Sequence, residues 1–255
     1  SKDTLNAVFR INSLDLNTTL ADYNTKMFKD DRLQQFYNRF ATYNGSSPYQ
    51  TPGIMSMIPH LEQYFGTFFP KGGMHQITMS LFKLAKDIGV KFHFNSKVER
   101  IVVKDKKAIG IEVKEKQIEA DIVVTNSDVV PTYRNLLKEY KAPEKVLQQP
   151  RSSSALIFYW GITKEFPELD LHNIFFSKDY ETEFDYIFNK KDVHDDPTVY
   201  VNITSKDEPS DAPNGCENWF TMINVPSNTG QDWDRIIKKA RTNILTKVSH
   251  LLNED

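Results

Sequence analysis

The amino-acid sequence predicts a mixed α/β (α+β) fold, from three changes in the spacing of its apolar residues. Residues 1–68 have apolar side chains at helical intervals, whereas parts of residues 90–126 alternate apolar with polar side chains, as half-buried strands do. After residue 130, short strands and helices are mixed. We find no internal repeat and no low-complexity linker, so this order indicates a chain that crosses between two domains more than once.

The first region, residues 1–68, is predicted to be helical. DRLQQFYNRFATY has its apolar residues at helical spacing, and NGSSP then supplies a turn. In TPGIMSMIPHLEQYFG, Thr51 is expected to cap a helix that ends at Gly66. Pro59 is expected to kink or divide this helix, because proline has no N–H to donate.

The second region, residues 69–130, opens with FPKGGM and continues as a helix. Its apolar face runs from Met74 to Ile88 and ends at Gly89. Alternating residues then predict a β-meander. The run QIEADIVVTN is continuously apolar at its centre and predicts a buried strand that ends at Asn126.

The third region, residues 131–255, is predicted to combine a mixed sheet with helices. A short helix is expected near PTYRNLLKEY, and strands are expected at SALIFYWGI, NIFFS, TVYVNI and WFTMINV. A helix around YETEFDYIF lies between two of these strands, and a long amphipathic helix begins at about residue 230.

Composition and charge exclude several classes of partner. The chain has 255 residues and a net charge of −2, which gives no reason to expect a nucleic acid as partner. Cys216 is the only cysteine, so no internal disulfide forms, which favours a reducing, cytoplasmic compartment. The six histidines are scattered without HExxH or HxxxH spacing, so we expect no metal site.

Known cofactor motifs are absent from the sequence. Its ten glycines include no GxGxxG and no GxxxxGK[ST], and Lys71 precedes the glycine pair of FPKGGM, whereas a phosphate-loop lysine follows its glycine. The chain is rich in aromatics, with 17 Phe and 11 Tyr. Two interpretations stay open: ordinary core packing, or the lining of a long apolar cavity for a substrate with few polar groups.

Five stretches, in order and spacing, resemble the bacterial carotenoid desaturases of the phytoene-desaturase type, a family of flavoproteins. They are NRFATYNGSSPYQTPG, FPKGGMHQITMSLFKLAKDIGVKFHFNSKVERI, EADIVVTNSDVVPTYRNLL, SSSALIFYWGI and LHNIFFSKDYETEFDYIF. Within that family, RFATYNGSSPY is most similar to the branch of 1-hydroxycarotenoid 3,4-desaturases.

The resemblance implies a flavin-oxidase-like fold of the FAD/NAD(P)-binding class, with FAD as cofactor and a carotenoid as substrate. By similarity, a hydride passes from substrate to flavin, a proton leaves the neighbouring carbon, and oxygen or a quinone accepts the electrons. Residues 1–68 and 131–255 would belong to the substrate domain and residues 69–130 to the FAD domain. Because family members open with a GxGxxG unit that is missing here, and no initiator methionine is present, the sequence is interpreted as an internal piece of a longer protein.

The resemblance also implies roles for individual residues. Val98 would contact the adenine through its backbone, and Asn126 would lie near the cofactor. Gly72 and Gly73 match the family's glycine pair beside the flavin ring and the substrate. Two polar residues, Asp30 and Arg39, are the candidates for steering a proton, and the alternative for both is a surface salt bridge on a helix.

A carotenoid resides in a lipid bilayer, so the family resemblance implies peripheral docking at the inner face of a bacterial cell membrane. The helix pair around GIMSMIPHLEQYFGTFF is the candidate docking surface, with an ordinary core helix as the alternative. Three competing functions stay open: a phytoene desaturase proper, a non-catalytic carotenoid- or lipid-binding module, and a flavin oxidase acting on a soluble amine.

Overall fold

A computed structural model describes residues 15–254, and the chain divides into two compact units. The first unit is made of two segments, the residues up to Ile77 and the residues from Ser152 onward. The second unit is Thr78–Arg151. These boundaries fall later than the predicted ones at 68/69 and 130/131. The substrate and cofactor roles of the predicted segments stay predictions.

In the described residues, four α-helices precede three consecutive strands, and helices and strands are mixed in the rest of the chain. The α-helices are α1 Leu20–Met27, α2 Asp31–Asn38, α3 Met57–Phe65, α4 His75–Asp87, α5 Val129–Pro131, α6 Glu144–Leu147, α7 Tyr180–Asp185 and α8 Trp233–Leu252. The strands are β1 Arg100–Lys104, β2 Lys107–Val113, β3 Lys116–Glu119, β4 Ser154–Ile162, β5 His172–Phe175, β6 Val199–Asn202 and β7 Glu217–Val225. Segments of 3₁₀-helix are Arg39–Asn44, Gly53–Ser56, Thr204–Lys206 and Pro209–Asp211. Short π-helices are Thr132–Leu136 and Tyr186–Lys190. The predicted mixed α/β class is confirmed.

The first unit is built on a four-stranded antiparallel sheet with the strand order β4-β7-β6-β5. One face of this sheet packs against α8, because alternate residues of β6 and β7 are apolar and the helix has an apolar residue at every third or fourth place. Fully or nearly fully buried members of this core are Val199, Val201, Trp219, Ile223, Ile236, Ala240 and Ile244. The core therefore covers one face of the sheet only.

The helical part of the first unit differs from prediction at two residues. Thr51 is not a helix cap, because its hydroxyl donates to the carbonyl oxygen of Ser47 at 2.7 Å. The predicted division of the second helix is found, but it falls between Ser56 and Met57, where a 3₁₀ turn meets α3. Pro59 lies in the first turn of α3, where its missing N–H breaks no intrahelical hydrogen bond.

The second unit contains the predicted meander, an antiparallel sheet with the order β1-β2-β3. Gly110 lies where β2 meets β3, and a Cβ at this residue would collide with the carbonyl oxygen of Ile118. The glycine is therefore required by the close approach of the two strands.

Two predicted strands of the second unit are not strands in the structure. The run QIEADIVVTN begins in β3, and the Ala120 N–H still donates to the Ile109 carbonyl of β2, but residues 121–126 have no strand partner in the described part of the chain. Ile122 and Val124 are 80% and 87% exposed. The alternating residues 90–94 are likewise unpaired. The prediction of a buried strand ending at Asn126 is wrong for this structure, because an apolar run becomes a strand only beside a partner that takes its backbone hydrogen bonds. The apolar face of α4 is also exposed.

Candidate functional site

The second face of the four-stranded sheet is not covered by α8, and we call it the open face. Residues directly opposite each other in antiparallel strands share a face, and two such rows cross all four strands. One row is His172, Asn202, Phe220 and Tyr159, and the next is Ile174, Tyr200, Met222 and Ile157. The open face is thus mostly aromatic and aliphatic, with its polar side chains toward β5 and β6.

A groove of about 440 Å³ lies on this open face, lined by side chains of β4, β6 and β7. Its lining residues are Tyr159, Trp160, Gly161, Asn202, Thr204, Asn218, Trp219 and Phe220. The rings of Tyr159 and Phe220 meet edge to face at 5.5 Å between centroids, and Tyr159 is 78% exposed. An aromatic groove with a few polar groups suits an apolar ligand whose orientation those groups determine.

Arg39 lies beside the open face, among three tyrosines. Burial raises the pKa of Tyr43 to about 12 and also raises the pKa values of Tyr180 and Tyr200, while the charge of Arg39 lowers all three. Arg39 Nη1 and the Tyr180 hydroxyl are both buried, and neither has a hydrogen-bond partner in residues 15–254. The guanidinium of Arg39 thus places a positive charge beside the hydroxyl groups of Tyr180 and Tyr200.

A buried carboxyl group, Glu183, lies on the same side of the unit as Arg39. It accepts hydrogen bonds from the Ser177 hydroxyl at 2.7 Å, the Thr198 hydroxyl at 2.6 Å and the Thr198 backbone N–H at 2.8 Å. Burial raises the pKa of Glu183, and the charge of Arg39 partly opposes that rise. These hydrogen bonds hold α7 against the β6 strand, which gives Glu183 a structural role.

Asp30, the second predicted catalytic residue, caps the N-terminus of α2. Its carboxylate accepts a hydrogen bond from the Arg32 backbone N–H and pairs with the Arg32 guanidinium at 2.7 Å, which lowers the pKa of Asp30 to about 2. Arg39 is at the other end of α2, about 13 Å away along the axis at 1.5 Å per residue. The structure does not bring the two residues to one site, and their catalytic roles stay predictions.

The FPKGGM segment forms a tight turn followed by α4. The Gly73 N–H donates to the Pro70 carbonyl at 2.9 Å, and Gly72, the third residue of the turn, has φ +83°, as a type II turn requires. The Gly72 N–H donates to the carboxylate of Glu208 at 3.1 Å. Gly73 has φ +87°, and no described atom lies within 4 Å of the place a Cβ would take. The turn therefore presents open backbone.

Two predicted cofactor contacts, Val98 and Asn126, lie in the second unit. Val98 precedes β1, and residues 15–254 offer its backbone N–H and C=O no hydrogen-bond partner. Asn126 is exposed at the end of the unpaired segment 121–126. Free backbone groups at Val98 fit main-chain contacts to a cofactor, as the resemblance implies for the adenine of FAD. The individual roles stay predictions.

A second groove, of about 590 Å³, lies among α1, α2 and α3. Residues lining it include Tyr23, Phe28, Tyr37, Met57, His60 and Gln63. Beside it, α3 exposes apolar side chains at residues 57, 61, 64 and 65, which recur at helical spacing, and residue 68 is exposed in the non-helical segment that follows. We call these five residues the α3 stripe; its most exposed side chain, Phe68, is 87% exposed.

Sequence reasoning missed Glu183, Glu208 and the polar residues of the open face. For Glu183 a signal existed, since it falls on the apolar side of its helix with Tyr180 and Ile187. No local sequence pattern indicates a role for Glu208, because its contact with Gly72 joins residues that are 136 positions apart. No three His, Cys, Asp or Glu side chains of the described residues are grouped as a metal site would need.

Comparison with known proteins gives a consistent result. Residues 5–159 match the family model described as flavin containing amine oxidoreductase. The chain is 56% identical, over all of its 255 residues, to a 1-hydroxycarotenoid 3,4-desaturase of Flavobacterium sp. strain P99-3, and covers 52% of that protein. It is 33% identical to a zeta-carotene-forming phytoene desaturase of Myxococcus xanthus, with 89% of this chain aligned to 44% of that protein. It is 32% identical to a phytoene desaturase of Neurospora crassa, with 88% of this chain aligned to 40% of that protein.

The chain therefore spans about half the length of the curated relatives it matches. Among solved structures, an oxidoreductase from Methanosarcina mazei superposes with a TM-score of 0.64, at 16% identity, over 98% of this chain and 57% of the other. At that identity the likeness concerns the fold alone.

Proposed function

This chain belongs to the flavin containing amine oxidoreductase family, and from that premise we propose that the full-length protein is an FAD-dependent carotenoid desaturase. The observation that carries the proposal is the 56% identity, along the whole chain, to a 1-hydroxycarotenoid 3,4-desaturase. We extend it to the substrate class: a 1-hydroxycarotenoid, in which the enzyme introduces a C=C bond.

Desaturation removes two hydrogens from neighbouring carbons of the polyene. FAD, when bound, supplies the acceptor for the hydride, and the second hydrogen leaves as a proton. The part of this chain is to hold the polyene: the open face buries apolar carbon and keeps water away, while Arg39 holds a charge at its side. In our proposal, oxygen or a quinone would accept the two electrons.

The test uses the full-length protein purified with detergent or lipid. We expect a yellow protein with flavin absorbance, which converts a 1-hydroxycarotenoid to a product whose absorption maximum lies at longer wavelength. Conversion of phytoene in preference to the hydroxylated substrate would favour a phytoene desaturase proper. A colourless protein that binds carotenoid without turnover would overturn the proposal in favour of a non-catalytic carotenoid- or lipid-binding module.

Arg39→Ala is expected to lower turnover by at least about 100-fold, the usual contribution of a group that steers a proton. The matched control is Arg241→Ala, because Arg241 is an exposed arginine on α8, away from the open face. Both variants are compared in kcat, product spectrum and flavin content. Unchanged turnover and products in Arg39→Ala would remove the residue from the mechanism.

We also propose that the protein docks peripherally on the cytoplasmic face of the cell membrane, where its substrate resides. The α3 stripe supports this, since four apolar side chains of α3 and Phe68, three residues after its end, are exposed. In residues 15–254, no helix has both the length and the apolar character that a membrane crossing requires.

Replacing Phe65 and Phe68 together by Ser should release the protein from vesicles. In flotation with phosphatidylethanolamine and phosphatidylglycerol vesicles, we expect the bound fraction to fall at least about tenfold, since two exposed aromatic side chains no longer enter the lipid. Leu251→Ser, on an exposed part of α8, is the control. Equal flotation of all three proteins would contradict docking through the α3 stripe.

A further inference from the structure

We propose that His172 and Asn202 form a hydroxyl-binding subsite at the polar side of the open face, which recognises the terminal hydroxyl group of a carotenoid substrate. The inference rests on the proposed function and adds to it the residues that select the substrate. The two residues are directly opposite each other on β5 and β6, in the row that continues through Phe220 to Tyr159.

The hydrogen bonds around His172 determine which ring nitrogen carries the proton. Nδ1 lies 2.8 Å from the Tyr200 hydroxyl and 3.3 Å from Nδ2 of Asn202. An amide nitrogen only donates, so Nδ1 must be the acceptor, and a neutral ring then carries its hydrogen on Nε2. His172 is exposed, and no described residue accepts a hydrogen bond from its Nε2, so the Nε2–H is left as a donor for a ligand.

Asn202 supplies the complementary acceptor. Its Nδ2 donates to the Leu171 carbonyl at 2.9 Å and to His172, which uses both amide hydrogens and sets the direction of the side chain. Its Oδ1 accepts no hydrogen bond from residues 15–254. Asn202 also lines the groove of the open face, so this oxygen belongs to the ligand-facing surface.

Two other polar side chains of that groove are already engaged. Asn218 accepts a hydrogen bond from the Ser205 N–H at 2.9 Å and donates to the Thr204 hydroxyl at 2.7 Å. The Thr204 hydroxyl in turn donates to the carboxylate of Asp211 at 2.5 Å. The Tyr159 hydroxyl also lines the groove, but Tyr159 is on β4, at the other end of the row from His172. Asn202 is the groove residue that lies opposite His172 and whose oxygen accepts no hydrogen bond from the described residues.

One donor beside one acceptor is the complement of a hydroxyl group, which accepts and donates one hydrogen bond each. A hydrocarbon end at the same place would displace water from both groups and leave them without partners, which makes it the poorer ligand. The aromatic and aliphatic side chains that follow along the open face provide the surface for the polyene itself.

His172→Phe tests the inference, because it removes the Nε2–H donor and keeps an aromatic ring stacked on Tyr200. In the unaltered protein the ring centroids of His172 and Tyr200 are 6.0 Å apart. The full-length protein is assayed with a 1-hydroxycarotenoid and with the same carotenoid bearing hydrogen in place of the hydroxyl. We expect the ratio of kcat/KM for the two substrates to fall about 3- to 10-fold, mainly through KM, which is the value of one neutral hydrogen bond. Asn202→Val, which removes the acceptor, should lower the same ratio.

His250→Phe is the matched control, since His250 is exposed near the end of α8, and its ratio should equal that of the unaltered protein. If both His172→Phe and Asn202→Val keep the unaltered ratio, the subsite is overturned while the desaturase proposal stands. If the unaltered protein turns over neither carotenoid, the desaturase proposal fails. In that case the dissociation constants of the two carotenoids are measured by quenching of tryptophan fluorescence. The ratio of these two constants, compared between the variants and the unaltered protein, then tests the subsite.

Discussion

Glu217→Ala is expected to lower the free energy of unfolding by about 3–5 kcal/mol, the cost of removing one partner from a buried ion pair. The Glu217 side chain is 2% exposed and pairs with the Lys206 ammonium at 2.7 Å. It also accepts hydrogen bonds from the Phe166 N–H at 2.9 Å and from Trp219 Nε1 at 2.8 Å. Alanine would leave two donors and the partly buried Lys206 ammonium, which keeps its hydrogen bond to the Phe166 carbonyl, without this acceptor.

Urea titration followed by tryptophan fluorescence measures this effect, because all three tryptophans pack in or against the core between the sheet and α8. Asp195→Ala is the control: Asp195 pairs with Lys239 at 2.6 Å, but its side chain is 79% exposed, so the change should stay within about 1 kcal/mol. Similar midpoints for the two variants would contradict a stabilising role for the buried pair.

The elements that the sequence predicted well are those whose pattern and partner lie within this chain. SALIFYWGI coincides with β4, and the last helix begins at Trp233 against an expected start near residue 230. Residues 121–126 show the opposite case, since their apolar run has no neighbouring strand among the described residues. The apolar pattern of a segment does not show whether a second strand lies beside it, and a strand forms only where such a partner takes its backbone hydrogen bonds.

Less of the candidate site than of the fold could be predicted, because its residues come together from distant parts of the sequence. Arg39 was found through its motif, and the structure places it beside the open face. Asp30 was chosen with it from its place in the same helix, but the eight residues of α2 separate the two side chains in space. His172 and Asn202 are 30 residues apart and meet through the register of β5 and β6, which no local pattern reveals.

Gly73→Val is expected to lower desaturation at least about 100-fold in the full-length protein while leaving it folded. The loss follows if flavin and polyene approach the open turn, because a branched side chain there would displace a reacting atom by an ångström or more. The fold should survive, since no described atom lies within 4 Å of the new Cβ. The positive φ of +87° adds only a local cost of about 1–2 kcal/mol for a non-glycine residue.

Gly230→Val separates that local cost from the effect on the reaction. Gly230 has φ +96° and equally open surroundings, but it lies before α8 and lines neither of the two grooves described above. Both variants should therefore show a similar fall in thermal midpoint, whereas only Gly73→Val should lose turnover. If the two variants lose activity in parallel, backbone strain explains the loss, and the glycine pair has no special place beside cofactor and substrate. Measuring bound flavin in Gly73→Val then tells whether the turn faces the cofactor or the polyene, because a side chain that blocks only the polyene leaves the flavin content unchanged.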